Sequence, residues 1–215
     1  MDCCNHTING LDAVFNERTV RGDVQHYRKH GLDKRARRLV DELARQGIGE
    51  ASLLEVGCGI GGLLLGSLKA GASRAVGLDL SGPSLSAARE LAVSEGLADR
   101  VEYLPIDIAA SGDSVSPADV VILDRVVCCY PNMPDLLGAS AAHVRRLLAL
   151  TYPRPTWLMR TGRVILNFFS WLWREEYRLY LHSPVEMQEL LTRAGLRPVH
   201  QYQGFIWQTA LFRRG

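Results

Sequence analysis

The chain has 215 residues, of which 47% are hydrophobic and 22% charged, the composition of one ordinary globular domain with a substantial core. A net charge of +2 without a lysine or arginine stripe gives no reason to expect a nucleic-acid partner. No run approaches the roughly 18 apolar residues of a membrane span, the start lacks signal-peptide features, and the five cysteines form no disulfide framework, so we expect a cytoplasmic protein without a membrane partner.

Residues 1–50 are predicted to form a lid or arm followed by one helix, ahead of a main domain over residues 51–215. The first 32 residues are polar and irregular in pattern, which favours the lid or arm. An amphipathic stripe predicts a helix over residues 34–46, with Asp33 as its N-cap.

Short apolar runs then alternate with helical patterns, which is typical of β-α units on a parallel sheet. The predicted strands cover residues 52–56, 74–80, 101–106, 118–124 and 163–169, and the predicted helices cover residues 60–70, 82–95, 134–149 and 184–194. The last two runs, 197–202 and 205–213, are separated by only two residues. Because a parallel crossover needs a longer connection, these runs are predicted to form an antiparallel hairpin.

The segment LLEVGCGIGG, residues 53–62, carries glycines directly after the first predicted strand. Gly57, Gly59 and Gly61 have the G-x-G-x-G spacing of adenosyl-sulfonium sites. With Gly62 the segment also has the G-x-G-x-x-G spacing of dinucleotide sites. Such glycines let backbone N–H groups approach a ligand at the mouth of the next helix, but alone they leave both ligands open.

Three carboxylates follow three successive predicted strands. Glu55 stands where dinucleotide sites usually carry an apolar residue, and its carboxylate suits a ligand with an ammonium group. Asp79 is placed to accept hydrogen bonds from ribose hydroxyls, and Asp107 from an adenine amino group. Because the carboxyl ends of parallel strands meet at one edge of a sheet, we expect the three acids to line one crevice.

An oxidoreductase is the rival interpretation of the glycine segment. Short-chain dehydrogenases need a Tyr-x-x-x-Lys pair, in which the lysine lowers the tyrosine pKa for proton transfer. None of the three lysines of this chain has a tyrosine four residues before it. That chemistry is absent, whereas other NAD-dependent oxidoreductase designs stay open as an alternative.

Four motifs together resemble those of the class I S-adenosylmethionine-dependent methyltransferases, in that family's order and spacing: LLEVGCGIGGL, VGLDLS, LPIDIAA and ADVVILDRVV. The terminal hairpin is similar as well. The resemblance implies an α/β fold with a Rossmann-like, doubly wound, mostly parallel seven-stranded sheet. It also implies S-adenosylmethionine as cofactor and S-adenosylhomocysteine (SAH) as product. The cofactor-binding residues that it implies are Glu55, Gly57, Cys58, Gly59, Gly61, Asp79, Leu80, Asp107, Ile108 and Asp124.

The acceptor is predicted to be a small molecule that is methylated at oxygen, nitrogen or sulfur by in-line displacement. The segment LDRVVCCYPNMPDLL, residues 123–137, follows the fourth predicted strand and resembles the Asp-Arg-Val-(Val/Ile)-Cys-Cys-Tyr-Pro segment of a bacterial methyltransferase subgroup. The candidate substrate-pocket residues are Tyr27, Arg125, Cys128, Cys129 and Tyr130. The candidate catalytic residues are Asp124, Tyr130 and His182, the last expected on a loop that leaves the fifth strand.

The aromatic segment FFSWLWREEYRLY, residues 168–180, favours an apolar or aromatic acceptor, although a lid or a dimer contact would show the same composition. The oligomeric state is expected to be a monomer or a homodimer.

The cysteines leave further alternatives open. On an extended segment Cys128 and Cys129 would face opposite ways, so we do not expect them to bind one ion together. If Cys3 or Cys4 joined one of them, the acceptor could be a thiol or a metalloid such as arsenite. No set of histidines has the spacing of a metal site, and no metal is predicted. A non-catalytic, methyltransferase-like binding subunit is the last alternative.

Overall fold

The computed structural model describes residues 15–173 and 178–215. Within these residues seven strands form one sheet in the order β3-β2-β1-β4-β5-β7-β6. The strands are β1 (Ser52–Val56), β2 (Arg74–Leu78), β3 (Val101–Leu104), β4 (Ala118–Asp124), β5 (Val144–Pro153), β6 (Leu196–Gln203) and β7 (Trp207–Arg214). The pairs among β1 to β5 are parallel, whereas β7 is antiparallel to both β5 and β6.

The helices of the described residues are α1 (Glu17–His30), α2 (Lys34–Arg45), α3 (Gly62–Lys69), α4 (Gly82–Ser94), α5 (Ile108–Ser111), α6 (Met133–Ala142), α7 (Trp157–Leu172) and α8 (Pro184–Arg193). Three single 3₁₀ turns cover Ala98–Arg100, Gly112–Ser114 and Val127–Cys129. None of the helices in these parts of the chain is both long and apolar enough to cross a membrane.

Neighbouring residues of the central strands point to opposite sides of the sheet. Helices pack on both sides, so both faces of the sheet are buried. Leu53 of β1 packs into a core with α2, α3 and α4, while Leu54 packs into a second core with α6 and α8. In β4, Val120 and Val121 divide between the same two cores. The predicted fold class, a doubly wound and mostly parallel seven-stranded sheet with a terminal antiparallel hairpin, is confirmed.

Two predicted elements in the second half of the chain are wrong. The helix predicted over residues 134–149 ends at Ala142, and β5 begins at Val144. The strand predicted over residues 163–169 lies inside α7. Both runs are apolar, and an apolar run without a clear period does not distinguish a buried strand from a helix.

The start of the described chain is more regular than its sequence suggests. A helix, α1, begins after Asn16, whose side-chain oxygen accepts from the backbone N–H groups of Arg18 and Thr19. Only Val20 of this helix is buried, so its sequence shows little of the apolar stripe that identifies surface helices.

Three glycines of the bend after β1, Gly57, Gly59 and Gly61, have left-handed backbones, and the last two differ in their surroundings. Gly61 has φ +73°, and a Cβ at this position would lie 2.3 Å from the Tyr103 hydroxyl oxygen. Gly59 has φ +53°, and a Cβ there would meet nothing within 4 Å beyond its chain neighbours. The bend therefore needs glycine at Gly61 for space as well as for conformation.

We predict that Gly61→Ala destabilises the fold more than Gly59→Ala does. Both variants carry the left-handed backbone cost of about 1–2 kcal/mol. Gly61→Ala should lose about 1–3 kcal/mol more because its new methyl group overlaps Tyr103. Urea unfolding of both variants and the wild type measures the difference, and equal losses would contradict this packing.

Candidate functional site

A cavity of about 700 Å³ lies at the carboxyl ends of the parallel strands, within the range of about 300–1,000 Å³ usual for small-molecule sites. Nine of the ten predicted cofactor-binding residues line it: Glu55, Gly57, Cys58, Gly59, Asp79, Leu80, Asp107, Ile108 and Asp124. All five predicted pocket residues line it too: Tyr27, Arg125, Cys128, Cys129 and Tyr130. Gly61 instead packs on Tyr103 behind the bend, and His182 lies elsewhere.

Glu55 is the most deeply buried acid of the cavity. Its side chain projects from β1 with 2% of the residue exposed, and its Oε2 has no hydrogen-bond partner among the described residues. Burial, followed by the negative charges of Asp124 and Asp79, raises the pKa of this carboxyl well above its usual value. The group therefore favours a ligand that brings a positive charge or a hydrogen-bond donor.

Asp79 connects the end of β2 to the glycine bend. Its Oδ2 accepts from the Gly59 backbone N–H at 2.7 Å, and its Oδ1 accepts from the Ser81 N–H at 2.9 Å. These bonds fix the plane of the carboxylate. A carboxylate oxygen has two lone pairs and can accept more than one hydrogen bond.

Asp107 connects the end of β3 to the loop after β4. Its Oδ1 accepts from the Ala109 N–H at 3.0 Å, which caps α5, and the Tyr130 hydroxyl donates to its Oδ2 at 3.0 Å. The phenol of Tyr130, a predicted catalytic group, is therefore turned towards the acid predicted to contact adenine.

Asp124, at the end of β4, is held by an arginine that the sequence analysis missed. Arg35, in the first turn of α2, donates one hydrogen bond to Asp124 and another, at 3.1 Å, to Asp33. On the other side the Arg125 Nε lies 3.7 Å from Asp124. The Arg35 and Asp124 positions are 89 residues apart, and no motif spacing connects them.

The helix α1 covers the glycine bend. The ring of Tyr27 packs on Gly62, where a Cβ would lie 3.1 Å from two ring carbons. His26, on the same helix, is the only histidine of the described chain that lines the cavity, and the sequence analysis missed it. The segment predicted as a lid or arm contains α1, whose residues Thr19, Asp23, His26 and Tyr27 line the cavity, and the lid role itself stays a prediction. Cys3 and Cys4 lie outside the described residues.

The two adjacent cysteines do not face opposite ways, so that expectation is wrong. They lie in a 3₁₀ turn instead of an extended segment, and their Sγ atoms are 3.8 Å apart. Contact with the Cys129 thiol and burial together raise the pKa of the Cys128 thiol. Across the described residues no group of three or more histidine, cysteine or acidic side chains is placed to hold a metal.

His182 follows α7 and precedes α8, because the fifth strand is not where it was expected. Its Nε2 lies 3.0 Å from the Tyr130 carbonyl oxygen, and its side chain lines a different cavity of about 530 Å³. Of the three predicted catalytic residues, Asp124 and Tyr130 therefore line the main cavity, whereas His182 lines the second cavity.

A glycine bend and acids from successive strand ends, on this sheet order, define the class of protein as a Rossmann-like methyltransferase. Residues 24–201 match the model of the family described as a methyltransferase domain, so the chain belongs to this family. The predicted enzyme class and its cofactor, S-adenosylmethionine, are thereby confirmed. The subgroup suggested by residues 123–137 stays a prediction.

The relatives agree with this family and differ in their acceptors. The chain is 35% identical over 100 residues to ribosomal protein L11 methyltransferase of Edwardsiella ictaluri, over 41% of this chain and 33% of that protein. It spans about a third of the length of the curated relatives it matches.

Two solved structures share its fold. Magnesium protoporphyrin IX methyltransferase of Synechocystis PCC 6803 with bound SAH has a TM-score of 0.66 and 18% identity, over 94% of this chain and 84% of that one. Mitomycin 7-O-methyltransferase has a TM-score of 0.62 and 22% identity, over 82% of this chain and 53% of that one.

We predict that Glu55→Gln stabilises the ligand-free protein at neutral pH by about 1–3 kcal/mol, since it removes a buried group that ionises at a cost. A carboxyl whose pKa is raised in the folded state costs no stability below its unfolded pKa of about 4.3, where it is protonated in both states. The protein loses stability as the pH rises from there through the pKa of the folded state. The gain from the variant should therefore grow between pH 4.5 and pH 8. Urea unfolding at both pH values measures it, and a constant or negative difference would contradict the assignment.

Proposed function

We propose that this protein transfers a methyl group from S-adenosylmethionine to a small molecule with an apolar body. Convergence of Glu55, Asp79 and Asp107 on one cavity beside the glycine bend carries this proposal. The bound cofactor supplies a methyl group already activated by its positively charged sulfur. The residues of the chain then need to align the acceptor and exclude water.

Glu55 and Arg35 would hold the amino-acid end of the cofactor. The buried Oε2 of Glu55 lacks a hydrogen-bond partner among the described residues, and an ammonium group would supply both the donor and the positive charge. Arg35 lies beside Asp124 at the same edge and presents a guanidinium suited to a carboxylate. The two side chains together match a zwitterion.

Asp79 and Asp107 would hold the nucleoside. The Asp79 carboxylate, fixed by two backbone N–H groups, is placed to accept from ribose hydroxyls. Asp107 is fixed in the same way by Ala109 and by Tyr130. Leu80 and Ile108 line the cavity next to these acids and offer apolar contact to an adenine ring.

The acceptor would lie against the loop after β4. Apolar groups of Cys128, Cys129, Leu179 and Trp207 line this part of the cavity. Asp124 is engaged by Arg35 and Arg125, so we assign it a positioning role. If the acceptor is a hydroxyl, His26 is the imidazole on the cavity wall that could accept its proton.

Transfer to a thiol or a metalloid such as arsenite is the second candidate, and the 3.8 Å separation of the two Sγ atoms favours the metalloid. A thiophilic element binds the thiolate form. The raised pKa of Cys128 keeps this thiol protonated at neutral pH, which weighs against the candidate.

We predict that Asp79→Ala weakens SAH binding by about ten- to a hundredfold, since it removes hydrogen bonds to a charged acceptor. Asp119→Ala is the matched control. Asp119 accepts two hydrogen bonds from Ser52 at the opposite edge of the sheet, so its loss should lower stability and leave affinity unchanged. Calorimetric titration with SAH compares the three proteins, and wild-type affinity in Asp79→Ala would remove this residue from the site.

We predict that Cys128→Ala retains SAH formation within about twofold of the wild type, because a protonated, packed thiol contributes volume more than chemistry. The assay follows SAH release with panels of small hydroxyl, amine and thiol acceptors, with arsenite, and with ribosomal protein L11. A folded variant that loses arsenite-dependent turnover would instead support the metalloid candidate. Turnover with L11 and with no small acceptor would overturn the small-molecule proposal.

A further inference from the structure

The helix α7 exposes large apolar side chains to solvent and turns polar side chains towards the protein, which is the reverse of an ordinary surface helix. Arg163 and Asn167 face the body of the protein, and Ser170 is the one buried residue of the helix. Its exposed large apolar side chains, together with the adjoining Trp173, are Trp157, Leu158, Val164, Ile165, Leu166, Phe168, Phe169, Trp171 and Leu172. Surface helices normally place such side chains against the core.

The exposed apolar area is too large for a surface that faces only water. Trp157, Trp171 and Trp173 are 78%, 64% and 68% exposed. At roughly 150–250 Å² for each aromatic side chain, the aromatic residues of the helix alone expose on the order of 600 Å². The largest apolar patch of a typical monomer is about 300–600 Å², and larger patches mark interaction sites.

The turn between β6 and β7 extends this apolar surface. Phe205, at its tip, is 81% exposed, and Ile206 beside it is also exposed. The Arg154 backbone N–H donates to the Ile206 carbonyl oxygen at 2.8 Å, which ties the turn to the segment leading into α7. We call α7 and this turn the apolar face.

The segment from residue 154 to residue 185, which contains α7, has a net positive charge. Its arginines are Arg154, Arg160, Arg163, Arg174 and Arg178 and its acids are Glu175 and Glu176, a balance of +3, and Arg160 is exposed. Arg160 and Arg163 also line the cavity of about 530 Å³ at the base of the helix, together with His182. Arginines beside tryptophans are the composition of helices that lie in the headgroup region of a membrane.

We propose that the apolar face docks this protein onto an anionic lipid bilayer, with α7 lying in the plane of the membrane surface. Each arginine near such a surface strengthens binding to anionic lipids. A second copy fits less well, since pairing two copies through this segment would bring together two surfaces of net charge +3. The sequence analysis expected no membrane partner, because no run is long enough to span a bilayer, and this proposal departs from that expectation with a peripheral contact.

The docked helix would hold one wall of the main cavity at the lipid surface. The Asn167 side chain pairs with both backbone groups of Leu179, at 3.0 and 2.9 Å, and Leu179 lines that cavity. The next backbone N–H, of Tyr180, donates to the Cys128 carbonyl oxygen at 2.8 Å. An apolar acceptor dissolved in the bilayer would enter from this side, a consequence that rests on the proposed function.

The test is sedimentation of the full chain with vesicles of phosphatidylcholine and phosphatidylglycerol in equal parts, and with phosphatidylcholine alone. We predict that the wild type binds the anionic vesicles and that Val164→Glu with Phe168→Glu weakens this binding at least about tenfold. Val93→Glu is the matched control, since Val93 lies on α4 and is 68% exposed against 60% for Val164. Arg160→Gln should weaken binding to the anionic vesicles about fivefold and leave neutral vesicles unaffected.

The SAH affinity of every variant is measured to show that each one is folded. Because vesicle binding needs no turnover, the docking proposal can be disproved without disproving the proposed function, and the reverse also holds. A wild type that stays in the supernatant, or binds both vesicle types equally, overturns the proposal. A wild-type dimer that the double variant converts to monomer, without vesicle binding, would show that the apolar face pairs two copies instead.

Discussion

Buried negative charge at one edge of the sheet is the constraint on which the site depends. Parallel strands bring Glu55, Asp79 and Asp124 together, and their mutual repulsion adds to the cost of burying Glu55. Arg35 and Arg125 offset part of this charge. The negative charge that remains in the cavity favours a cationic ligand with hydrogen-bond donors. A sulfonium amino acid is a ligand of this kind.

The elements around the edge complete this arrangement. The first turn of α2 supplies Arg35, so the N-terminal segment contributes to the charge balance as well as covering the cavity. The bond from Tyr130 to Asp107 joins the loop of the proposed acceptor side to the proposed nucleoside side.

Local patterns predicted the first four strands and the terminal hairpin. Fourteen of the fifteen predicted cofactor-binding and pocket residues line the main cavity, and all of these except Tyr27 lie within a few residues of a strand end. The sequence could not reveal Arg35, whose partner is 89 residues away. It misplaced His182 because the strand at 144–153 resembles a helix continuing from α6. The apolar run of α7 resembled a buried strand since nothing in its composition shows that its apolar side faces outward.

A crystal structure of the protein with SAH tests the central claim most directly. The account predicts the amino group of the ligand within hydrogen-bond distance of Glu55, its ribose hydroxyls at Asp79 and its adenine beside Asp107. A ligand whose ribose and amino group contact none of these carboxylates would contradict it, even if the protein binds SAH tightly.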